Sequence, residues 1–151
     1  MNTKLLTIDC DQATAIVAPQ NGINVNINFT RGNIYILQAN CYSNSASTNV
    51  ASFDVSDSWY LYIGRQYQSN AAPVVSITDP AAFNSASDWP QVDVSNGAIC
   101  ARVNVISAAL TTDLGNTASQ NYTLQWINTN DAGKDVMICD TTCIITNAVQ
   151  L

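Results

Sequence analysis

Apolar residues alternate strictly with asparagine along Ile23–Phe29, which reads Ile-Asn-Val-Asn-Ile-Asn-Phe. Successive side chains of a β-strand point to opposite faces, so this pattern predicts a strand with one face in a core and the other in water. Similar alternation runs through Ala98–Ile106 and Tyr122–Ile127. Three such segments in one short chain predict an all-β fold.

The composition supports the same fold class. All eleven acidic residues are aspartate and none is glutamate, and the chain has eighteen asparagines but only five basic residues. Glu, Lys and Arg favour helix interiors, whereas Asp and Asn favour turns and caps. We therefore expect short strands joined by many turns.

Further strands are predicted from runs of apolar, β-branched and aromatic residues bounded by Gly, Pro, Asn or Asp. These runs are Ala13–Ala18, Ile34–Cys41, Trp59–Ile63, Val74–Ile77, Val92–Val94 and Asp135–Thr146. Helical turns are expected at Asp79–Phe83 and Ala108–Leu114, and the dipeptide Asn96-Gly97 is a strong hairpin signal. Strands at this spacing predict an antiparallel β-sandwich of about seven to nine strands with one or two short helical turns.

The chain has the length of a single domain. We assign residues 1–151 to one β-sandwich, with residues 1–12 as a candidate N-terminal arm, because domains most often have about 100–150 residues. No apolar run approaches the ~18 residues of a membrane span. Met1–Cys10 lacks the apolar stretch and the small-residue cleavage site of a secretory signal. We therefore expect no membrane partner and no export by a signal peptide.

The composition also argues against several activities. The chain has no histidine, so it has no imidazole base and no histidine ligand for a metal. Its net charge of -6 and its pI near 4.1 disfavour nucleic acid, whose binding depends on Lys and Arg at phosphates. We expect no enzymatic activity, no cofactor and no nucleic-acid partner.

Two close pairs of aspartates, Asp9 with Asp11 and Asp54 with Asp57, have the residue type of a general acid and base. Neither pair has an evident partner group in the sequence, and Asp in loops rich in Ser and Thr typically caps its own backbone. Residues 128–133 resemble part of a calcium loop, but the fifth position, which must supply an oxygen ligand, is alanine. We interpret all three segments as turns, with no catalytic residue and no metal site.

The five cysteines are expected to be reduced thiols, because their number is odd and no secretory signal precedes them; metal or redox use is the alternative. They are Cys10, Cys41, Cys100, Cys139 and Cys143. On one continuous strand Cys139 and Cys143 would lie ~13 Å apart, beyond the ~7 Å that a disulfide tolerates. A turn at Asp140–Thr142 would instead allow a bridge. Zinc usually takes two close pairs of ligands, and the other three cysteines offer no second pair.

An aromatic cluster is the best candidate for a binding surface. Its members are Trp59, Tyr60, Tyr62, Tyr67 and Trp89. Alternation along the strand places Trp59 in the core, with Tyr60 and Tyr62 on the outer face. Exposed Tyr and Trp are frequent in protein interfaces and also stack on sugar rings. The cluster therefore predicts a protein–protein contact or a glycan site.

The order of several segments is more specific. In chain order they are the turn Phe29–Asn33, the strand Ile34–Ala39, the segment Asn96–Val103, the turn Ala109–Gly115, the strand Tyr122–Trp126, and the turn Asn130–Asp135 before a final strand. This order resembles the immunoglobulin-like domain at the N-terminus of tailed-phage baseplate upper proteins, and of related phage tail and fibre proteins. The resemblance covers residues 23–147. Two features depart from it: Asn33 stands where the family usually has Asp, and Trp59–Pro90 is longer and more aromatic.

The resemblance implies an immunoglobulin-like sandwich without catalytic residues, which serves as a virion structural module in a tail, baseplate, fibre or head decoration. It further implies attachment to other virion proteins and assembly into a homo-oligomer, after synthesis in the host cytoplasm. The alternative function is a carbohydrate-binding or host-recognition module that uses exposed Tyr and Trp to bind a host glycan. A small enzyme is the third hypothesis, which the missing His and Glu disfavour.

Overall fold

A computed structural model of the chain describes residues 2–11, 13–16, 27–43, 48–54, 57–65, 73–77, 96–129 and 135–148. Within these residues the chain forms nine strands and one short helix. The strands are β1 (Asn2–Asp9), β2 (Thr14–Ile16), β3 (Ile27–Thr30), β4 (Ile34–Tyr42), β5 (Ser58–Gly64), β6 (Val75–Ile77), β7 (Ala98–Asn104), β8 (Ser119–Thr129) and β9 (Asp135–Thr146); the helix is α1 (Ala108–Leu114). The prediction of an all-β fold is confirmed.

The strands form two sheets around one shared core. The four-stranded sheet has the order β2-β1-β4-β7, and the five-stranded sheet has the order β3-β9-β8-β5-β6. Among the described pairs, β1 with β4 and β3 with β9 are parallel. The other five described pairs are antiparallel. Each sheet is therefore mixed, and the prediction of a purely antiparallel sandwich is wrong at those two pairs. Parallel neighbours need a crossover connection, which alternation along a single strand does not reveal.

The core is built from the inward residues of both sheets. Its largest fully buried side chains include Trp126, Tyr122, Phe29, Ile8, Leu37 and Leu61. The pattern along β8 alternates buried and partly exposed residues from Tyr122 to Thr129, as the sequence predicted. Each buried aliphatic side chain contributes roughly 1.5–3 kcal/mol of transfer free energy, so this shared core is the main source of stability.

Most predicted elements are present, with boundaries shifted by one or two residues. The helical turn at Ala108–Leu114 is α1, and the final strand Asp135–Thr146 is β9. The predicted strand Val92–Val94 and the helical turn Asp79–Phe83 lie outside the described residues. So do the first four residues of the alternating segment Ile23–Phe29, whose remainder forms β3.

The N-terminal residues belong to the sandwich. They form β1, which pairs with β4 on one side and with β2 on the other. Ile8 of β1 is fully buried and Leu6 nearly so, which fixes the strand against the core. The assignment of residues 1–12 to an N-terminal arm is therefore not borne out for Asn2–Asp9.

The last strand, β9, is continuous, and the thiols of Cys139 and Cys143 are free and buried. Its register against β8 shifts between Trp126 and Ile127, where β9 carries one extra residue. Such a bulge re-aims side chains, and here both Ile138 and Cys139 are buried although they are adjacent in sequence. The expectation of one continuous strand through Cys139 and Cys143 is confirmed.

The helix α1 packs on the shared core. Ser107 is its N-cap, because its hydroxyl oxygen accepts a hydrogen bond from the Leu110 amide at 3.1 Å. The same hydroxyl donates to the carbonyl of Val74, which precedes β6. Leu110 and Leu114 are buried. Among the described helices, none is long and apolar enough to cross a membrane.

Candidate interaction surface

The strand β5 presents two different faces. Trp59, Leu61 and Ile63 are buried, while Tyr60 and Tyr62 are half-buried on the outer face of the five-stranded sheet. Phe53 packs edge-on against Trp59, with ring centroids 4.9 Å apart. The predicted orientation is confirmed: alternation directs Trp59 into the core and both tyrosines away from it.

The two tyrosines lie side by side on this face. Their ring centroids are 6.3 Å apart and the ring planes differ by 3°. On the adjacent strand β8, Ile127 is paired with Tyr60 and Gln125 with Tyr62. Asp140 of β9 lies beyond Gln125 in the same rung of the sheet and is exposed. We call these five residues the tyrosine face.

The tyrosine face offers binding chemistry. Tyrosine combines a large apolar ring with a hydroxyl group that donates and accepts hydrogen bonds. Gln125 adds amide donors and acceptors, and Ile127 adds apolar surface on the same face. Interfaces between proteins are enriched in Tyr and depleted in Lys and Glu. Apart from the exposed carboxylate of Asp140, this aromatic patch on the middle strands of a sheet matches that composition.

The other aromatic candidates have different positions. The side chain of Trp59 is 5% exposed and belongs to the core. Tyr67 and Trp89 lie outside the described residues. Their assignment as interface residues stays a prediction, while Tyr60 and Tyr62 are the candidates that share one outward face.

The aspartate pairs form turns. Asp9 accepts a hydrogen bond from the amide of Asp11 at 3.0 Å. Asp57 accepts one from the amide of Asp54 at 3.2 Å and another from the side-chain amide of Asn128 at 3.0 Å. Both pairs therefore cap local backbone, as we interpreted them. No group of three or more Asp or Cys side chains in the described part of the chain is arranged to hold a metal ion.

A charged cluster that the sequence did not predict joins α1 to the five-stranded sheet. Arg65, which follows β5, donates from Nε to Oδ2 of Asp113 at 2.8 Å. The hydroxyl of Tyr122 donates to the same carboxylate oxygen. The Arg65 guanidinium also lies 5.8 Å from the centroid of the Tyr122 ring. Burial, and then the hydrogen bond to Asp113, raises the pKa of Tyr122 well above its usual range.

This cluster is expected to stabilise the fold. Asp113→Ala removes the acceptor of two hydrogen bonds and leaves a tyrosine hydroxyl unpartnered inside the protein. We expect the free energy of unfolding to fall by about 2 kcal/mol, since the ion pair itself is partly exposed and contributes little. Urea denaturation followed by tryptophan fluorescence measures the change. Asp140→Ala, which removes an exposed carboxylate, is the control; equal effects of the two substitutions would contradict this role.

These two clusters of polar groups therefore differ in role, one being structural and the other suited to binding. Arg65, Asp113 and Tyr122 satisfy each other and anchor α1. Tyr60 and Tyr62 of the tyrosine face are partly exposed on the side of the sheet that faces away from the core. No protein-family model matches the chain, and comparison with curated proteins gives no match either.

Proposed function

We propose that this chain is a virion structural protein of a phage, a non-catalytic module that attaches to other virion proteins and to copies of itself. It would act in a tail, baseplate, fibre or head decoration after synthesis in the host cytoplasm. The observation that carries this proposal is the tyrosine face, in which Tyr60 and Tyr62 stand together on an inner strand of the five-stranded sheet.

The support beneath the two tyrosines favours binding. β5 is held between β8 and β6, and its alternate residues are buried in the core. The backbone that carries Tyr60 and Tyr62 is therefore ordered before any partner arrives. A preorganised surface loses less conformational entropy on association, so more of the contact energy remains as affinity. Tyrosine is also one of the residues in which binding energy concentrates.

The proposed fold family is the immunoglobulin-like sandwich. Two sheets share one core, and strands β9, β8, β5 and β6 follow each other in antiparallel order within one sheet. Immunoglobulin-like domains build such sandwiches from strands that are not neighbours in sequence. The segment order that resembles phage baseplate, tail and fibre domains adds to this support, and the same resemblance suggests a non-catalytic role.

Substitution of the two tyrosines tests the function. We expect the wild-type protein to self-associate, and Tyr60→Ala or Tyr62→Ala to weaken association about 30-fold, the equivalent of ~2 kcal/mol per interface aromatic. Sedimentation velocity over a concentration series measures the association constant, and circular dichroism checks the fold. Tyr42→Ala is the matched control, because Tyr42 is also half-buried but belongs to the four-stranded sheet.

Three results would count against the proposal. A wild-type protein that stays monomeric at every concentration would contradict self-assembly through this face. Equal weakening by Tyr42→Ala would show that the effect is not specific to the tyrosine face. In phage particles grown with each variant, normal incorporation of both Tyr60→Ala and Tyr62→Ala would remove this surface from consideration.

The parallel rings of Tyr60 and Tyr62 also favour a second function, carbohydrate binding, because sugar rings stack on tyrosine. A glycan array distinguishes carbohydrate binding from the role of a structural module. Strong binding of one glycan class by the wild type, lost in Tyr62→Ala without a change in oligomeric state, would support host-glycan recognition. A blank array together with Tyr-dependent self-association would support the structural module.

A further inference from the structure

A small cavity lies where the paired strands β3 and β9 end, beside the loop that follows α1. Its volume is about 420 Å³, and ligand cavities in proteins commonly measure about 300–1,000 Å³. The lining comes from three parts of the chain: Arg31 directly after β3, residues 115–118 between α1 and β8, and residues 146–148 at the end of β9. The cavity therefore has room for a small molecule.

Arg31 is held in place by hydrogen bonds. Its backbone amide donates to the carbonyl of Thr146 at 2.8 Å, which joins the end of β3 to the end of β9. Its guanidinium donates from Nε to Oδ1 of Asn147. The side-chain amide of Asn147 donates in turn to the carbonyls of Gly115 at 3.0 Å and Thr117 at 2.8 Å. Asn147 thus connects the guanidinium to the loop after α1 and orients it before any ligand arrives.

The far end of the Arg31 guanidinium is available for a ligand. A guanidinium has five N–H donors, of which the hydrogen bond to Asn147 uses the one on Nε. Within the described part of the chain, neither terminal amino group has a hydrogen-bond partner and no carboxylate forms an ion pair with Arg31. Arg65 differs, because it is paired with Asp113. Two parallel N–H groups of a guanidinium match the two oxygens of a carboxylate, so Arg31 is suited to bind one.

We propose that this cavity binds a small acidic sugar, such as a uronic acid or a sialic acid, whose carboxylate pairs with the terminal amino groups of Arg31. Asn116, Thr117 and Thr146 also line the cavity and are exposed. Their side chains carry donors and acceptors for the hydroxyl groups of a sugar. Binding is noncovalent, and the sugar is released unchanged.

The charge of the cavity favours a carboxylate over a phosphate. Among the described residues that line it, Arg31 is the one charged side chain. One guanidinium balances the single charge of a carboxylate, whereas a phosphate monoester carries about 1.5–2 negative charges near neutral pH. The excess charge would face a protein whose own net charge is -6. The volume favours a sugar acid over a carboxylate of a partner protein, because an Asp or Glu side chain alone would fill only part of the cavity.

The cavity is separate from the tyrosine face. Ser119 of β8 is paired with Thr146 beside the cavity, while Gln125 of the tyrosine face lies six residues further along β8. A strand rises about 3.3 Å per residue, so the two sites are about 20 Å apart. The inference therefore does not depend on the proposed function, and its failure would leave that proposal unchanged.

Titration of the full-length protein with sugars, followed by two-dimensional NMR of the backbone amides, tests the inference. Glucuronate, galacturonate and N-acetylneuraminate are the acidic probes, and glucose is the neutral counterpart of glucuronate. We expect at least one acidic sugar to shift the amide signals of residues 115–118 and 146–148, while the signals of Tyr62 and Gln125 stay in place and glucose shifts none. No shift by any acidic sugar, or glucose binding as tightly as the acidic sugars, would overturn the proposal. Tighter binding of glucose 6-phosphate than of any acidic sugar would overturn it as well, and these results need only the wild-type protein.

Arg31→Gln removes the charge and the paired donors but keeps a polar side chain. We expect it to weaken binding of the acidic sugar about 10-fold or more, because hydrogen bonds between charged groups are strong. Arg102→Gln is the matched control: Arg102 is exposed on β7, in the four-stranded sheet, so the substitution removes the same charge and should leave the affinity unchanged. Circular dichroism checks that both variants fold. Equal weakening by the two substitutions would show that the net charge of the protein governs binding, and would overturn the assignment to this cavity.

Discussion

Gly97→Ala is expected to lower the free energy of unfolding by about 3 kcal/mol or more, enough to unfold a marginal domain. Gly97 has a φ of +75°, in the left-handed region that disfavours residues with a Cβ. A Cβ built on Gly97 would lie 2.5 Å from the carbonyl oxygen of Cys41 and 2.9 Å from that of Ala51. Both distances are far shorter than a van der Waals contact.

The clash cannot be relieved cheaply, because both neighbours are backbone atoms and hydrogen bonds join the segments that carry them. The Cys41 amide donates to the carbonyl of Gly97 at 2.8 Å, and the Cys41 carbonyl accepts from the Ala51 amide at 3.0 Å. Moving either chain segment away would break the pairing at the end of β4. Strain and lost hydrogen bonds therefore add to each other.

Gly115→Ala is the matched control. Gly115 also has a positive φ, +53°, but a Cβ there would meet nothing within 4 Å. It should cost only the conformational strain, about 1–3 kcal/mol, because its ψ of −123° lies outside the left-handed helical region that residues with a Cβ can adopt. Urea denaturation of both variants at neutral pH gives the comparison. If Gly97→Ala lowers the free energy of unfolding no more than Gly115→Ala does, the close packing of Gly97 against the Cys41 and Ala51 carbonyls is contradicted.

Alternation was sufficient to predict several of the strands and which of their side chains face the core. β8 follows the pattern, with Tyr122, Leu124 and Trp126 buried. β7 follows it only in its second half, where Arg102 and Asn104 are exposed. The reason is physical: the two-residue period of a strand maps directly onto an inner and an outer face. For the same reason the outward direction of Tyr60 and Tyr62 could be predicted from the sequence alone.

Strand neighbours could not be predicted in the same way. The two-residue period of apolar residues shows which face of a strand is buried, but it does not show which other strand pairs with it. β1 illustrates this limit. Its sequence has two adjacent leucines, of which Leu5 is 68% exposed and Leu6 is 8% exposed, so no clean alternation marks it as a sheet strand. Its place beside β4 depends on a parallel pairing between segments about thirty residues apart.

The cluster of Arg65, Asp113 and Tyr122 was missed for a related reason. Its members come from the end of β5, from α1 and from β8, and only tertiary packing brings them together. Each alone has an ordinary surface or core interpretation in sequence. An arginine directly after Gly64, at the end of an aromatic strand, was the one available signal.

The buried cysteines lead to the second large effect, a steep loss of stability in alkali. Burial raises the pKa of Cys100 from 9.0 to about 11. It raises the pKa of Cys143 to about 12, and that of Cys139 also to about 12, with neighbouring Cys10 and Asp140 adding to the shift. The native state thus holds these thiol protons more tightly than the unfolded chain does. Their contribution to stability is fully present below pH 9 and is lost as pH rises from 9 towards 11–12.

The size of the effect follows from proton counting. Each thiol that stays protonated in the native state but ionises in the unfolded chain lowers the free energy of unfolding by about 1.4 kcal/mol per pH unit. Three such thiols give a slope of about 4 kcal/mol per pH unit above pH 9.5. Cys41 and Tyr122, whose pKa values are also raised, act in the same direction. A domain of ordinary stability should therefore unfold near pH 11.

Urea denaturation at about pH 7, 9, 10 and 11, with a reductant to keep every thiol free, measures this slope. Cys100→Ala is the diagnostic variant, because it removes one buried thiol that lies outside the core shared by the two sheets. Its stability at neutral pH should be slightly lower than that of the wild type. Its alkaline slope should be shallower by about 1.4 kcal/mol per pH unit, so that the two curves converge as pH rises. A wild-type free energy of unfolding that stays level between pH 9 and 11 would mean that these thiols ionise as readily in the native protein as in the unfolded chain.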